Sequence, residues 1–299
     1  MLIKWKKINC KSLPRYFLFY LSILLILNGC EQDLKEGCLD YRYINFSVDA
    51  DVNCLDCCKL PELRILIRHR ISQLDSLYPI NYLTQPYSIP SGDTFFIENL
   101  SFILSDFRLI DLEMKEIPSL DSIQIRTVNT QNDSVFFTFP NSFLIGNPNL
   151  FQKKKVAAIF HNGKGIKGLK FHLGLNSSVN VLNPFNFPAG HPLNTNQNFL
   201  FQKDKGYIFA NMELKWKEKS KNFPSNFSLS GNEYNKMIEL PVFTNMRAGF
   251  NQEITIEVDY AKWFNSIDFS KDSPEIIRKK WLYNLVTSFS VVTVVEQID

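Results

Sequence analysis

The sequence predicts an all-β fold, an antiparallel β-sandwich with long loops and one or two short helices near the C-terminus. Three observations predict it. Aromatic residues make up 14% of the 299 residues, with 26 Phe, 11 Tyr and 4 Trp, and such side chains favour strands and fill cores. The apolar segments are short, alternate with period two and are bounded by Asn, Pro, Gly and Ser. An apolar content of 45%, with only 12 Gly and 14 Pro, supports a sizeable core and excludes collagen-like, coiled-coil and disordered chains.

At the N-terminus, Lys4, Lys6, Lys7, Lys11 and Arg15 precede a run over 16–27 that is apolar except for Ser22, and Asn28-Gly29-Cys30 follows. A run of this length spans about 18 Å as a helix, short of the ~30 Å bilayer core, so it reads as a signal peptide (1–29) rather than a permanent span. The Leu-x-Gly-Cys ending resembles the bacterial lipobox, which makes Cys30 the expected acylated, palmitate-type first residue, followed by a polar tether to residue 40. Removing 1–29 takes five basic and no acidic residues from 33 and 30, leaving 28 against 30 and a net charge near −2. The basic excess therefore belongs to the signal, and nucleic-acid binding loses its support.

Residues 41–299 read as one domain. Strands are expected near 41–48, 63–67, 100–110, 122–128, 134–139, 155–160, 166–175, 206–214, 236–243, 252–259 and 286–295. A helix is expected from Ser273-Pro274-Glu275 to about Tyr283, because Ser caps it and Pro occupies its first turn, and another short one after Asp259. The stretch from Asn176 to Lys205 carries no strand signal, and a loop of that length in a compact domain is usually functional.

Cys38, Cys54, Cys57 and Cys58 remain besides Cys30. In an exported chain they are read first as disulfides, with three connectivities open, and Cys54-x-x-Cys57 as a metal-ligand pair is the alternative. Gly163, Gly165 and Gly168 match a dinucleotide fingerprint, but the residues that follow alternate as a strand rather than opening a helix. The stretch is read as a hairpin turn joining 155–161 to 166–172. On such a hairpin His161 lies near the turn and His172 about 20 Å away. Only His191, in the long loop, could reach either one, so His172 and His191 are the candidate metal ligands, beside the plainer reading of surface or hydrogen-bonded histidines. Glu253, Thr255, Glu257 and Asp259 share a strand face that is read as solvated; a carbohydrate-active use of paired carboxylates is the weakest reading. No nucleophile elbow, zinc-protease helix or phosphate loop is present, so no enzyme is expected.

Four segments in order resemble the MbnP-like family of exported β-sandwich proteins, often lipoproteins. They are Glu98 to Leu109, with its Ser105-Asp106-Phe107-Arg108-Leu109; Ile166 to Asn176; Gly206-Tyr207-Ile208-Phe209; and Ile256 to Phe264, with its Val258-Asp259-x-x-Lys262-x-Phe264. The resemblance implies copper association and a dihaem peroxidase-like partner that oxidises a tryptophan just before the Gly-Tyr strand. Here those positions are Phe199 and Phe201, whose rings lack the oxidisable indole. The expectation is therefore a bacterial cell-envelope protein, lipid-anchored at the outer membrane as the lipobox implies, with a non-catalytic binding or redox-accessory role. The alternative is a divergent member without metal chemistry, contacting partners through Phe185, Phe187, Phe199, Phe201 and Tyr207; packing of the loop aromatics into the core is the plainer reading of the same segment.

Overall fold

The computed structural model describes residues 33–54, 56–73, 76–81, 84–89, 92–128, 133–149, 153–159, 163–194, 200–218 and 223–297. The expected signal peptide, Cys30, His161 and Phe199 lie outside them. Among the described residues no helix is long and apolar enough to cross a membrane.

The main strands are β1 (Glu62–Gln73), β2 (Thr94–Asp111), β3 (Ser122–Val128), β4 (Ser134–Pro140), β5 (Phe143–Gly146), β6 (Lys153–Ala158), β7 (Gly165–Leu173), β8 (Gly206–Trp216), β9 (Asn226–Ser230), β10 (Lys236–Asn245), β11 (Asn251–Asp259) and β12 (Phe289–Gln297). Two sheets face each other. The larger runs Phe201–Gln202, β8, β2, β7, β10, with β9 on β8 and β5 on β2; the smaller runs β6, β1, β11, β12. Period-two alternation builds the shared core: Leu63, Ile65 and Ile67 of β1 and Ile254, Ile256 and Val258 of β11 meet Phe102, Leu104, Leu169 and Phe171 from the other sheet.

The middle of β2 departs from alternation. Leu100 to Ser105 are all buried, because one face lies on the small sheet and the other is covered by a second cluster of Ile103, Phe143, Leu175, Val179, Leu182, Phe187, Leu193, Tyr207 and Phe209. A strand covered on both faces loses its polar side. Two glycines mark close approaches in this region. A Cβ at Gly146 would lie 2.1 Å from the Phe102 ring, and one at Gly206, where φ is +80°, would lie 2.5 Å from the Asn180 carbonyl oxygen.

The helix after Ser273 forms as expected, as α2 (Pro274–Val286); the Ser273 side chain accepts from the Ile276 N–H, and Pro lies in the first turn. A 3₁₀ turn over Tyr260–Phe264 follows Asp259, whose side chain caps it. Three expectations are corrected. Residues 41–48 form turns held by the isolated Cys38–Phe46 bridge rather than a strand. The glycine-rich stretch is no hairpin: β6 pairs with β1 in the small sheet, whereas β7 pairs with β2 and β10 in the large one. The small sheet is not wholly antiparallel, since β1 and β11 pair in parallel. That register sets Glu253, Glu257 and Asp259 opposite Arg64, Arg68 and Arg70, so the acidic face is matched by a basic one on the neighbouring strand. The cysteines take one of the three connectivities, Cys38–Cys58 and Cys54–Cys57.

Candidate functional site

The long stretch between β7 and β8 folds over the outer face of β2. Asn176 caps a short helix α1 (Ser177–Asn180) by accepting from the Val179 N–H at 3.0 Å, and Asn183 caps a 3₁₀ turn at Pro184–Asn186 in the same way. Asn side chains compete well for backbone donors at such starts, which accounts for the abundance of Asn in the segment. Between the caps, Val179, Leu182, Phe187 and Leu193 insert into the second cluster together with Ile125 and Phe139 of the β3–β4 hairpin.

The loop aromatics divide between the two readings, core packing and contact surface. Phe187 is buried, with its ring 4.7 Å from His191, nearly parallel to it. Tyr207 is fully buried; its N–H donates to Asn180 Oδ1 at 2.8 Å, its hydroxyl to the Leu193 carbonyl at 2.9 Å, and burial raises its pKa. Phe201 is half-buried and edge-on to Tyr207. Of the four described, only Phe185 stands out in solvent, 73% exposed.

The two histidines do not converge. His191 Nδ1 accepts from the Leu193 N–H at 3.1 Å, which leaves Nε2 as the donor to Asn141 Oδ1 at 3.0 Å. Both ring nitrogens are thus engaged, and burial pushes the pKa down to about 4. His172 lies on the other flank of β2. Ser105 faces His172 on β7 and Phe143 on β5, and the His191 ring packs edge-on to Phe143, so about two strand spacings, ~10 Å, separate the flanks. Asn235 donates its Nδ2 to the Leu175 carbonyl and turns its Oδ1 to His172 Nδ1 at 2.7 Å. Nδ1 therefore donates that bond.

His172 shares a cavity of about 290 Å³ with Ser105, Asp106, Asn176, Ser177 and Asn232. Asp106 is a non-glycine residue at φ +56°. It sits in a bulge where Asp106 and Phe107 of β2 oppose only Phe171 of β7. The position is tied down by a bidentate ion pair with Arg108, which also bonds Glu116 at 2.6 Å; Glu116 in turn pairs with Lys170. Lys170 first, then Arg108, holds the Glu116 carboxyl below its ordinary range.

As a copper site the histidine pair does not fit: its members stand apart and three of their four ring nitrogens are committed. Among the described residues, the grouping of three or more His, Cys, Asp or Glu donors is Cys54, Cys57 and Cys58, whose sulfurs are joined in disulfides.

A larger cavity, about 700 Å³, opens beside the turn that precedes β8. Asn180, Phe201, Lys203, Lys205, Ser228, Asn232, Tyr234 and Arg278 line it, with Asp204 and Glu233. Asn180 is 4% exposed and forms the rigid floor, its Oδ1 on the Tyr207 N–H and its Nδ2 on Asn232 Oδ1 at 3.2 Å. Its volume falls within the range of small-ligand pockets. Sequence reasoning pointed to Phe201 and Tyr207 but missed Asn180, Asn232 and Arg278. Their association depends on α1, the Gly231 turn and α2 meeting, and no local pattern announces that.

The acidic strand is likewise absorbed by the fold. Glu253 pairs with Lys153 at 2.5 Å, and Asp259 accepts from the Ser72 and Ala261 N–H groups and from the Ser72 hydroxyl.

Fold and site together define a two-sheet β-sandwich protein whose long β7–β8 loop seals one sheet and borders a polar cavity. The MbnP family model matches residues 62–279, and the chain belongs to the MbnP family. Among solved structures, MbnP from Methylosinus trichosporium is similar at 13% identity over 69% of this chain and 79% of that one, with a TM-score of 0.42. No curated protein matches.

Proposed function

We propose that this MbnP-family chain is a lipid-anchored, extracytoplasmic protein with a non-catalytic binding role, which receives a ligand or partner at the cavity beside the 201–206 turn without copper chemistry. The leader and Leu-x-Gly-Cys30 ending support export and outer-membrane anchoring. Two disulfides suit an oxidising compartment.

The observation that carries the metal-free reading is the engagement of His191. A copper ion there would have to displace the Leu193 N–H or Asn141 from a ring packed against Phe187. Phe201, packed on Tyr207, stands where the family resemblance places an oxidisable tryptophan, so a dihaem peroxidase-like partner has no indole to oxidise at that position.

Titration of the soluble 31–299 fragment with monovalent and divalent copper is the test. No stoichiometric site of micromolar affinity is expected. Stoichiometric binding abolished by His172→Ala or His191→Ala would overturn the metal-free reading and restore the histidine site. Globomycin treatment of expressing cells should leave the lipoprotein precursor unprocessed; normal maturation would remove the anchoring at Cys30.

A further inference from the structure

The two disulfides are unequal and sit side by side. Cys38–Cys58 spans a sequence separation of 20, and Cys38 is 1% exposed. Cys54–Cys57 spans a separation of 3, and Cys57 is exposed. The chain entropy that a cross-link removes grows with the length of the loop it closes, so the short bond constrains the chain least. Stability gives little reason for it.

Its surroundings give another. The Sγ atoms of Cys54, Cys57 and Cys58 all lie within 4.8 Å of one another, so the exposed bond has a sulfur of the inner bond as its neighbour. The backbone holds this arrangement independently of the sulfurs. Asn45 donates to the Cys57 carbonyl at 2.7 Å and accepts from the Lys59 N–H at 2.8 Å, while the Cys54 N–H donates to the Gly37 carbonyl at 3.0 Å. Opening Cys54–Cys57 therefore leaves its thiols beside Cys58.

We propose that Cys54–Cys57 is a thiol–disulfide exchange site for an extracytoplasmic dithiol, with Cys58 relaying exchange to the buried Cys38. A thiolate of the dithiol attacks the exposed Cys57 Sγ, and Cys54 leaves as a thiolate. The second thiol of the reductant then attacks the mixed disulfide, departs as the oxidised disulfide and releases Cys57 as a thiol. Two electrons have passed to the protein, and the reductant's two protons end on sulfur or in solvent. In the relay the Cys54 thiolate attacks Cys58 Sγ, the Cys54–Cys58 bond forms, the Cys38–Cys58 bond breaks and Cys38 leaves as a thiolate. The relay moves the bond without further oxidant.

The test uses the full chain in detergent, treated with one equivalent of dithiothreitol, quenched in acid and alkylated, with each cysteine read by peptide mapping. Cys57 is expected to be the most heavily labelled of the four, with one disulfide retained and Cys58 still bonded. Equal opening of both bonds, or preferential opening of Cys38–Cys58 with Cys54–Cys57 intact, would overturn the exchange site. The Cys57→Ser variant isolates the relay, because it leaves Cys54 unpaired without any reductant. A Cys54–Cys58 bond with Cys38 alkylated is expected in a substantial fraction of molecules. Cys38–Cys58 intact in every molecule, with Cys54 as the lone alkylated member of the four, would remove the relay. Circular dichroism confirms that the variant keeps its sandwich.

Discussion

Replacing Phe187 with Ala tests whether the β7–β8 loop is core or contact surface. Phe187 is 3% exposed and packs on His191 and Phe139, so truncation removes a full ring and leaves a cavity between the loop and β2. Substitutions of this kind cost about 3–5 kcal/mol. Phe185, two residues away and 73% exposed, gives the matched control, with a cost within about 0.5 kcal/mol. Urea unfolding of the 31–299 fragment reads both as shifts in midpoint at constant slope. A second readout follows from the same contact: His191 is held neutral by burial, and opening its surroundings should raise its pKa towards 6.5 in an NMR titration. A Phe187→Ala cost below about 1 kcal/mol, equal to that of Phe185→Ala, would refute the claim that the loop completes the second core.

His69 is half-buried, bonds Tyr260 through Nδ1 at 2.7 Å, and has its pKa lowered to about 4 by desolvation. It is neutral in the fold but takes a proton near 6.5 when unfolded, so its contribution is complete above pH 7 and is lost as pH falls from 6.5 to 4, on the order of 2–3 kcal/mol. Urea midpoints at pH 7.5 and 4.5 should differ less in His69→Gln than in the parent. Gly146→Ala drives a Cβ into the Phe102 ring and should cost about 1–3 kcal/mol, read as a lower melting temperature. Asn180→Ala leaves the buried Tyr207 N–H without its acceptor and should cost about 1–3 kcal/mol in the same melt, a loss that Asn180→Asp would partly restore because the acceptor oxygen remains.

What the residues reveal on their own divides along the range of the interaction. Alternation is local, so β7 and β11 appear in the sequence at nearly their true places and β1 in its first half, and the Ser273-Pro274 start of α2 is a local signal too. Pairing is not local. The 155–161 and 166–172 segments look like a hairpin because they are adjacent, yet β6 buries Val156 and Ala157 in the small sheet and β7 buries Leu169 and Phe171 from the large one. Tyr41 to Val48 alternates, but Tyr41, Phe46 and Val48 are largely exposed, so no partner strand or core rewards extension there.

The long loop is the most informative case. In the sequence alone its Phe residues read either as core packing or as a contact surface, and its Asn residues do not decide between the two. Together they are a scaffold and its filling: Asn176, Asn180 and Asn183 satisfy backbone donors at three turns, which lets Phe187, Leu182 and Leu193 face inward without stranding polar groups. The same packing engages both nitrogens of His191 and places Asn180 at the floor of the cavity. The loop is thus part of the second core through Phe187, Leu182 and Leu193, while Phe201 stays half-buried at its edge beside the polar cavity.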